Sequence, residues 1–414
     1  MFSRALRKRA DEKGDTMTSQ DDMQNAVMPT YGRAEQAFVR GKGCWLYTED
    51  GTGFLDCASG IAVNLFGHGD RRLVTALQAQ SEQLWHTSNL YRIPQQEKLA
   101  YRLASHAGLD HAFFCNSGVE ANEAAVKMAR RYQYRQGHEH RYRILCAGGA
   151  FHGRTLAMLA ATDKPLFREG FGPMPEGFDH VPFGNLNALR DALSDDVAAI
   201  MVEPVQGEGG ACAAPEGYLA GVKAAADEFG ALVIADEVQC GMGRTGRMFA
   251  FQHEDIQPDL VVLAKGLGGG FPVGAVIARK AIGEAMGPGS HGSTFGGNPL
   301  AMAVANAVID GLEEEGFLDD VSARADYLNT ELAALASAFP AQIEEVRGQG
   351  FLRGLKLADE VNAGAVTKAA RDHQLLVVPA GDNVVRMLPP LTISRDEIDK
   401  ALSILSSCLN EMKG

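Results

Sequence analysis

The chain has 414 residues, 46% hydrophobic and 22% charged, which is the composition of a globular protein with a large core. Its length exceeds that of one ordinary domain and predicts about two or three. Acidic residues outnumber basic ones, 52 to 39, and the net charge of -13 argues against nucleic acid or an anionic membrane as the main partner. No stretch approaches the roughly 18 apolar residues that a membrane-spanning helix needs.

Seven cysteines are scattered along the chain without a Cys-x-x-Cys pair. This spacing predicts reduced thiols and a cytoplasmic protein. The N-terminal residues are basic, but acidic residues follow at once and no apolar signal-peptide core is present, so residues 1–30 are predicted to be a disordered leader. Met17, Met23 and Met28 are alternative starting residues.

A hairpin is predicted first, over residues 44–57 with its turn at Asp50-Gly51. Helical spacing of apolar residues then covers Val119–Tyr134 and Gly217–Phe229. Short apolar runs alternate with these helices and predict the strands Ala112–Cys115, Ile144–Ala147, Ala198–Val202, Leu232–Ala235, Leu260–Ala264 and Gly274–Ala278. Apolar strands joined by helices predict a mostly parallel α/β sheet.

Beyond Pro299 the pattern changes to that of a smaller α/β domain. Its predicted helices are Leu300–Leu312, Val321–Ala338, Val366–His373 and Arg395–Glu411. Its predicted strands are Glu345–Val346, Phe351–Lys356, Leu376–Val378 and Val384–Met387. We therefore expect a large domain over residues 66–305 and a small domain over 306–414, with residues 31–65 packing against the small domain.

Polar residues follow three of the predicted strands, at the point where each strand ends. Asn116-Ser117-Gly118 follows the first, Asp236 ends another, and Lys265 follows a third. Ligands of open α/β sheets bind at the carboxyl ends of the strands. The sequence therefore predicts a ligand site that combines these residues.

Lys265 follows an apolar run, so burial should lower its pKa and make its amine nucleophilic, as Schiff-base lysines require. The alternative is a structural lysine that extends its amine to the surface or pairs with an acid. Asp236 at the tip of an apolar strand needs a cation, such as a protonated pyridine ring, or serves as a helix cap. A magnesium-nucleotide role is excluded because no Gly-x-x-x-x-Gly-Lys-Ser/Thr motif is present, and no metal site is predicted.

Ser117 precedes a helix, where its hydroxyl, free backbone N–H groups and the helix dipole would bind a phosphate, although an ordinary N-cap gives the same pattern. Arg154 and Arg386 lie in apolar or small-residue surroundings and fit either structural ion pairs or the binding of a ligand carboxylate. His152 is interpreted as an interior histidine without a chemical role.

Seven stretches in this order resemble the class III aminotransferases of fold type I, and most closely the acetylornithine aminotransferase group. The stretches are Ala58–Asn64, Phe114–Glu123, Phe151–Thr155, Val202–Gly210, Asp236–Gln239, Ala264–Pro272 and Ser293–Pro299. The resemblance extends from about Tyr31 to the C terminus. It implies an enzyme that uses pyridoxal 5′-phosphate and a fold with a large and a small α/β domain.

The resemblance also implies the residues that bind this cofactor. Lys265 would attach it covalently and transfer protons, and Asp236 would pair with the ring nitrogen. Gln239 would hydrogen-bond the ring hydroxyl, Phe151 would stack on the ring, and Val238 would belong to the same site. Ser117 and Gly118 would bind the phosphate, together with Thr294 from the second subunit of a homodimer.

For the substrates, the resemblance implies two carboxylate-binding arginines. Arg154 would bind the carboxylate far from the reacting amine, and Arg386 would bind the α-carboxylate of glutamate. Glu208 would be a gate that pairs with Arg386 when no carboxylate is present, and Glu203 is the less favoured candidate for that gate. Ser293 would contact the substrate.

The implied reaction moves the terminal amino group of N2-acetylornithine to 2-oxoglutarate and gives N-acetylglutamate semialdehyde and glutamate, in arginine biosynthesis. Ornithine, succinyldiaminopimelate and 4-aminobutyrate aminotransferases share the chemistry and remain alternatives. A protein of a different class, a non-catalytic regulator that binds pyridoxal phosphate, is a further alternative. Intact Lys265 and Asp236 argue against that regulator.

Overall fold

A computed structural model describes residues 26–412 of the chain. The largest sheet in these residues has seven strands. In spatial order they are His111–Cys115, Gly274–Ala278, Leu260–Leu263, Leu232–Asp236, Val197–Val202, Arg143–Ala147 and Phe178–Val181. Gly274–Ala278 is antiparallel to both of its neighbours, and the other strands run in one direction. The predicted, mostly parallel α/β sheet is therefore confirmed.

Burial explains why the sequence predicts six of these strands to within one residue at each end. Every residue of Val197–Val202 and of Gly274–Ala278 is buried, so the strands are continuous apolar runs. The seventh strand, Phe178–Val181, lies at the edge of the sheet, is mostly half-buried and carries Asp179 and His180, so no apolar run predicts it.

The helix Gly118–Arg135 packs alanines, including Ala121, Ala124 and Ala125, into the core beside this sheet. It begins at Ser117, whose side chain accepts a hydrogen bond from the N–H of Glu120. The other helices up to residue 312 are Arg71–Ser81, Pro94–Ala107, Leu156–Ala161, Pro165–Arg168, Leu186–Ala192, Tyr218–Phe229, Lys280–Glu284 and Pro299–Leu312. All three helices predicted in this region, Val119–Tyr134, Gly217–Phe229 and Leu300–Leu312, are present.

A second, antiparallel sheet follows, with the strands Ile343–Gln349, Leu352–Leu357, Val384–Met387 and Val378–Ala380 in spatial order. The helices of this region are Phe317–Ala338, Ala363–Asp372 and Arg395–Glu411. The N-terminal hairpin pairs Trp45–Thr48 with Gly53–Asp56, as predicted, and Gly53–Asp56 runs parallel to Leu375–Leu376. Helix Pro299–Leu312 crosses the domain boundary expected at residue 305.

The described chain falls into two parts, residues 26–38 and 39–412. The first has turns and bends and ends with Phe38, where strand Phe38–Lys42 begins. Most of the predicted leader, residues 1–25, lies outside the described residues. All seven cysteines lie in the second part as free thiols. Between residues 26 and 412, no helix combines the length and the apolar character needed to span a membrane.

Candidate active site

A cavity of about 420 Å³ lies where the central strands of the large sheet end. Its wall includes residues that directly follow Cys115, Ala235 and Leu263, because the carboxyl ends of parallel strands meet at one edge. Eight residues predicted for the site line it: Ser117, Gly118, Phe151, Arg154, Asp236, Val238, Gln239 and Lys265.

Lys265 opens a 3-10 turn, Lys265–Gly268, with a backbone φ of 46°. Such left-handed geometry is uncommon for a residue with a side chain and is concentrated at functional sites. Burial, reinforced by the charge of Arg386, lowers the pKa of Lys265 to about 8. Part of the amine is therefore neutral near neutral pH, which a nucleophile requires.

Asp236 is buried and accepts hydrogen bonds at both carboxylate oxygens. Oδ1 accepts from the backbone N–H of Val238 at 3.0 Å. Oδ2 accepts from Asn122 Nδ2 at 2.8 Å and lies 2.7 Å from His152 Nδ1. Burial opposes a charge on His152, but the hydrogen bond and negative charge of Asp236 raise its pKa above the usual value. The sequence predicts an interior histidine without a chemical role at position 152, and it does not predict this contact of His152 with Asp236.

The turn Asn116-Ser117-Gly118 leads into the N terminus of helix Gly118–Arg135, where backbone N–H groups can bind a phosphate. Ser117 Oγ and the Asn116 backbone N–H each donate to Glu120 Oε2 at 2.9 Å, so Glu120 holds the turn in place. Gly118 has no room for a side chain, because a Cβ there would lie 2.9 Å from Val238 Cγ1. This close approach brings the start of helix Gly118–Arg135 against the wall of the cavity.

Arg386 is 1% exposed, and both ends of its guanidinium group are occupied. Nη1 donates to Gln239 Oε1 at 2.7 Å, and Nη2 donates to Glu208 Oε1 at 2.6 Å. Burial alone would raise the pKa of Glu208, but Arg386, Lys265 and Lys164 lower it below the usual value. Glu208 thus binds Arg386 as a carboxylate.

Arg154 is exposed and differs from Arg386, because within residues 26–412 it forms no ion pair. Its guanidinium carbon lies 3.5 Å from the ring centre of Phe167 and 5.7 Å from that of Phe151. Phe151 itself lines the cavity, and its backbone N–H donates to Glu203 Oε2 at 3.1 Å. Arg154 is therefore an oriented cation that is open to a ligand carboxylate.

Glu203 does not contact Arg386, which has Glu208 as its acid partner. Glu203 is 4% exposed, and burial raises its pKa to about 7. Its hydrogen bond fixes the backbone of Phe151. Of the two acids considered for the gate, Glu208 alone has the required contact within the part of the chain that the structure describes.

Ser293 and Thr294 lie at the edge of the site. Ser293 Oγ accepts a hydrogen bond from Asn116 Nδ2 at 3.2 Å. Thr294 is exposed and does not line the cavity of its own chain. Phe295, which follows Thr294, is 60% exposed, and its ring centre lies 5.2 Å from that of His86. Trp85, which precedes His86, is 64% exposed.

The family model of the class-III aminotransferases matches residues 28–409. The chain belongs to this family. An acetylornithine aminotransferase from Brucella melitensis is 49% identical over 383 residues, or 92% of this chain and 94% of that relative. This class-III aminotransferase is therefore a pyridoxal-phosphate-dependent enzyme, as the sequence motifs predict.

Solved structures agree with this assignment. N-acetylornithine aminotransferase from Stenotrophomonas maltophilia is 36% identical, with a TM-score of 0.81 over 92% of this chain and 97% of that one. An ornithine aminotransferase from Toxoplasma gondii, described with partly occupied pyridoxal phosphate in its active site, is 29% identical with a TM-score of 0.91 over 100% of both chains. The predicted fold class and cofactor are thus confirmed.

The residues of the cavity fit pyridoxal phosphate. Gln239 turns its carbonyl oxygen to Arg386, which leaves its amide N–H groups as donors for the ring oxygen. Asp236 offers a buried carboxylate for a protonated ring nitrogen, and Gly118 allows the phosphate turn to approach closely. Lys265 adds an amine with a lowered pKa.

Proposed function

We propose that this enzyme transfers the terminal amino group of N2-acetylornithine to 2-oxoglutarate, in arginine biosynthesis. The observation that carries the proposal is a difference in ion pairing between the two arginines of the site, Arg154 and Arg386. Arg154 is open to a carboxylate, whereas Arg386 is closed by Glu208. The names of the Brucella melitensis and Stenotrophomonas maltophilia relatives support the same substrate.

Bound pyridoxal phosphate would supply an aldehyde that takes up amines and a cationic ring that withdraws electrons from the carbon bearing the amine. Lys265 would hold it covalently, and Asp236 would keep the ring nitrogen protonated. Gln239 would donate to the ring oxygen. Phe151 and Val238, which line the cavity, would contact the ring, and Ser117 with Gly118 would bind the phosphate.

Lys265 Nζ also moves the proton in this proposal. With its pKa lowered to about 8, the Lys265 amine would take a proton from the substrate carbon that bears the reacting amine and would then give that proton to the cofactor. Asn122 Nδ2 and the Val238 N–H donate to Asp236, and His152 Nδ1 lies 2.7 Å from it, so these contacts hold the Asp236 side chain in place.

Charge matching explains how one site serves two substrates. N2-acetylornithine has a single carboxylate, far from its reacting amine, and Arg154 would bind it while Glu208 stays on Arg386. Glutamate has two carboxylates, so its α-carboxylate would displace Glu208 from Arg386 while Arg154 binds the other. A buried arginine without a partner is strongly disfavoured, and this exchange keeps Arg386 paired in both half-reactions. Ser293 would contact the substrate from the edge of the site.

We further propose a cytoplasmic homodimer whose active sites are shared. Two segments meet near Thr294, since Asn89 Nδ2 donates to the Ser293 backbone oxygen at 3.2 Å and the His86 ring centre lies 5.2 Å from that of Phe295. Four large exposed apolar side chains on these segments support an interface there: Trp85, Leu90, Tyr91 and Phe295. Their exposed fractions are 64%, 88%, 68% and 60%, and a contiguous group of exposed apolar side chains is typical of a protein–protein interface. Thr294 would then reach the phosphate of the partner's site. The seven free thiols support the cytoplasmic location.

A half-reaction screen tests the substrate. The enzyme with bound pyridoxal phosphate is mixed separately with N2-acetylornithine, ornithine, succinyldiaminopimelate and 4-aminobutyrate, and loss of the yellow absorbance is followed. We expect N2-acetylornithine to react with the highest kcat/KM. A faster reaction of another donor would assign that substrate instead. A protein that binds the cofactor but reacts with no amine, glutamate included, would be the non-catalytic regulator.

A further inference from the structure

Lys164 lies directly beside the proposed gate. It precedes the short helix Pro165–Arg168, is half-buried, and donates from Nζ to the backbone oxygen of Glu208 at 2.9 Å. Within residues 26–412 it forms no ion pair, so its charge has no carboxylate partner while Glu208 is bound to Arg386. A lysine ammonium has three donors, and only one is used here.

The main chain of Glu208 is fixed, whereas its carboxylate is held at one end only. The backbone oxygen accepts from Lys164 and from the Gly381 N–H at 3.0 Å. A side chain at residue 381 would not fit, because a Cβ there would lie 2.9 Å from that oxygen. The Glu208 side chain is 26% exposed and has its hydrogen bond to Arg386. The side chain can therefore rotate without moving the backbone.

We propose that Lys164 is the second counter-ion of Glu208, and that the Glu208 carboxylate turns from Arg386 to Lys164 when a substrate carboxylate takes Arg386. The inference rests on the proposed gate. A carboxylate that leaves a buried arginine needs another cation or water, and an uncompensated one is strongly disfavoured. Lys164 already contacts the backbone of the same residue, so a rotation of the side chain is enough to reach it. It is a positioning residue in this role.

Lys164 also lies near Arg154, and this raises a competing role. Its Nζ is 5.5 Å from the ring centre of Phe167, on which Arg154 stacks at 3.5 Å. If Lys164 bound a substrate carboxylate directly, it would act together with Arg154, and its effect would not require Glu208. The two roles therefore differ in whether the effect of Lys164 requires Glu208.

The test uses Lys164→Met alone, Glu208→Gln alone and the double variant. Two quantities are measured in each holoenzyme: the dissociation constant of glutarate, a dicarboxylate that cannot react, from the absorbance of the bound cofactor, and the rates of the two half-reactions. We expect Lys164→Met to weaken glutarate binding and raise the KM for glutamate by about tenfold, with a change below about twofold for N2-acetylornithine. In the Glu208→Gln background, Lys164→Met should have no further effect.

Lys164→Arg, which keeps the charge, should restore glutarate binding. Lys280→Met is the matched control, since this lysine side chain is 69% exposed and lies outside the cavity. An effect of Lys164→Met that persists in the Glu208→Gln background, or that slows both half-reactions equally, would overturn the inference. The inference would also be overturned if the wild-type enzyme reacts with glutamate and with N2-acetylornithine but Lys164→Met changes neither glutarate binding nor the half-reaction rates. Wild-type enzyme without either half-reaction would instead refute the proposed function.

Discussion

Lys265 and Lys164 have the same side chain but different surroundings. Lys265 lies at the cavity wall, where burial and Arg386 lower its pKa to about 8. Burial also lowers the pKa of Lys164, an effect that Glu208 and Glu203 oppose with their negative charges and that Arg386 and Arg154 reinforce with their positive ones. The first lysine is therefore suited to nucleophilic attack, and the second to the pairing of a carboxylate.

The pH dependence of cofactor attachment should report the pKa of Lys265. Only the neutral amine attacks an aldehyde, so the attachment rate should increase with pH and level off above about pH 8. An ordinary lysine, with a pKa of about 10.4, would continue to gain reactivity up to about pH 10. Stopped-flow absorbance after mixing apoprotein with pyridoxal phosphate measures this rate.

Arg386→Met provides a control for the same experiment, because Arg386 is the neighbouring charge that lowers the pKa of Lys265. Its loss should shift the midpoint of the rate profile to higher pH. A midpoint near pH 10 in the unsubstituted protein would show that burial does not act on Lys265 as described.

His152 should matter for the cofactor although it does not need to touch it. The substitution His152→Phe keeps an aromatic ring and removes the group 2.7 Å from Asp236 Oδ2. Hydrogen bonds to charged groups contribute about 1.5–3 kcal/mol, so we expect pyridoxal phosphate to bind at least about tenfold more weakly. The dissociation constant is measured by fluorescence titration. His140→Phe, at an exposed site, is the control, and equal affinity of the two variants would contradict the role of His152.

The sequence predicts the residues of the site better than their contacts. Ser117, Asp236 and Lys265 stand out because each follows an apolar strand, and strand ends meet at one edge. The pairs His152–Asp236 and Lys164–Glu208 are 84 and 44 residues apart, and only the tertiary fold decides that they meet. The position of His152 between Phe151 and Arg154 is the available signal, since both of these residues are predicted for the site.

At the scale of the elements, burial decides what can be predicted. Fully buried strands such as Val197–Val202 are apolar throughout, whereas the edge strand Phe178–Val181 lacks that pattern. The segment Ser59–Ala62 could not be predicted either, because its four residues all have positive φ and only one is glycine. Two hydrogen bonds hold this left-handed turn: Ser59 Oγ donates to the Leu388 backbone oxygen, and the Ser59 N–H donates to Asp56 Oδ1. The division into domains remains a proposal, supported by the separate sheets and by the pairing of Gly53–Asp56 with Leu375–Leu376.

The last helix, Arg395–Glu411, depends on its cap. Ser394 Oγ accepts from the Glu397 N–H at 3.2 Å, and Glu397 Oε2 accepts from the Ser394 N–H at 2.9 Å. Loss of such a cap costs about 1 kcal/mol, so Ser394→Ala should lower the free energy of unfolding by that amount. Urea unfolding of the apoprotein, followed by circular dichroism, measures the change.

Ser407→Ala is the matched control, because Ser407 is exposed in the interior of the same helix and alanine favours helices. We expect it to leave the stability unchanged or slightly higher. Glu397→Ala should cost more than Ser394→Ala, since Glu397 Oε1 also accepts from Trp45 Nε1 at 2.8 Å. Equal stability of all three variants would show that the cap does not contribute.

At the scale of the whole molecule, two features of a single chain support the proposed dimer. Thr294 does not line the cavity of its own chain, and Trp85, Leu90, Tyr91 and Phe295 expose apolar surface. Burial of these side chains against a second copy would remove that surface from water and bring Thr294 to another active site. The acidic net charge of -13 keeps such dimers apart from one another.

Hybrid dimers test whether Thr294 acts across the interface. Lys265→Ala removes the attachment point, and Thr294→Asp places a negative charge where the phosphate should bind, so each variant alone should be inactive. In a hybrid dimer with Thr294 acting in trans, one site combines both lesions and the other combines an intact Lys265 with an intact Thr294. Equal mixing after unfolding and refolding should therefore restore about a quarter of the wild-type activity, because half of the dimers are hybrids with one working site. If Thr294 served its own chain, every hybrid site would carry one lesion and the mixture would stay inactive.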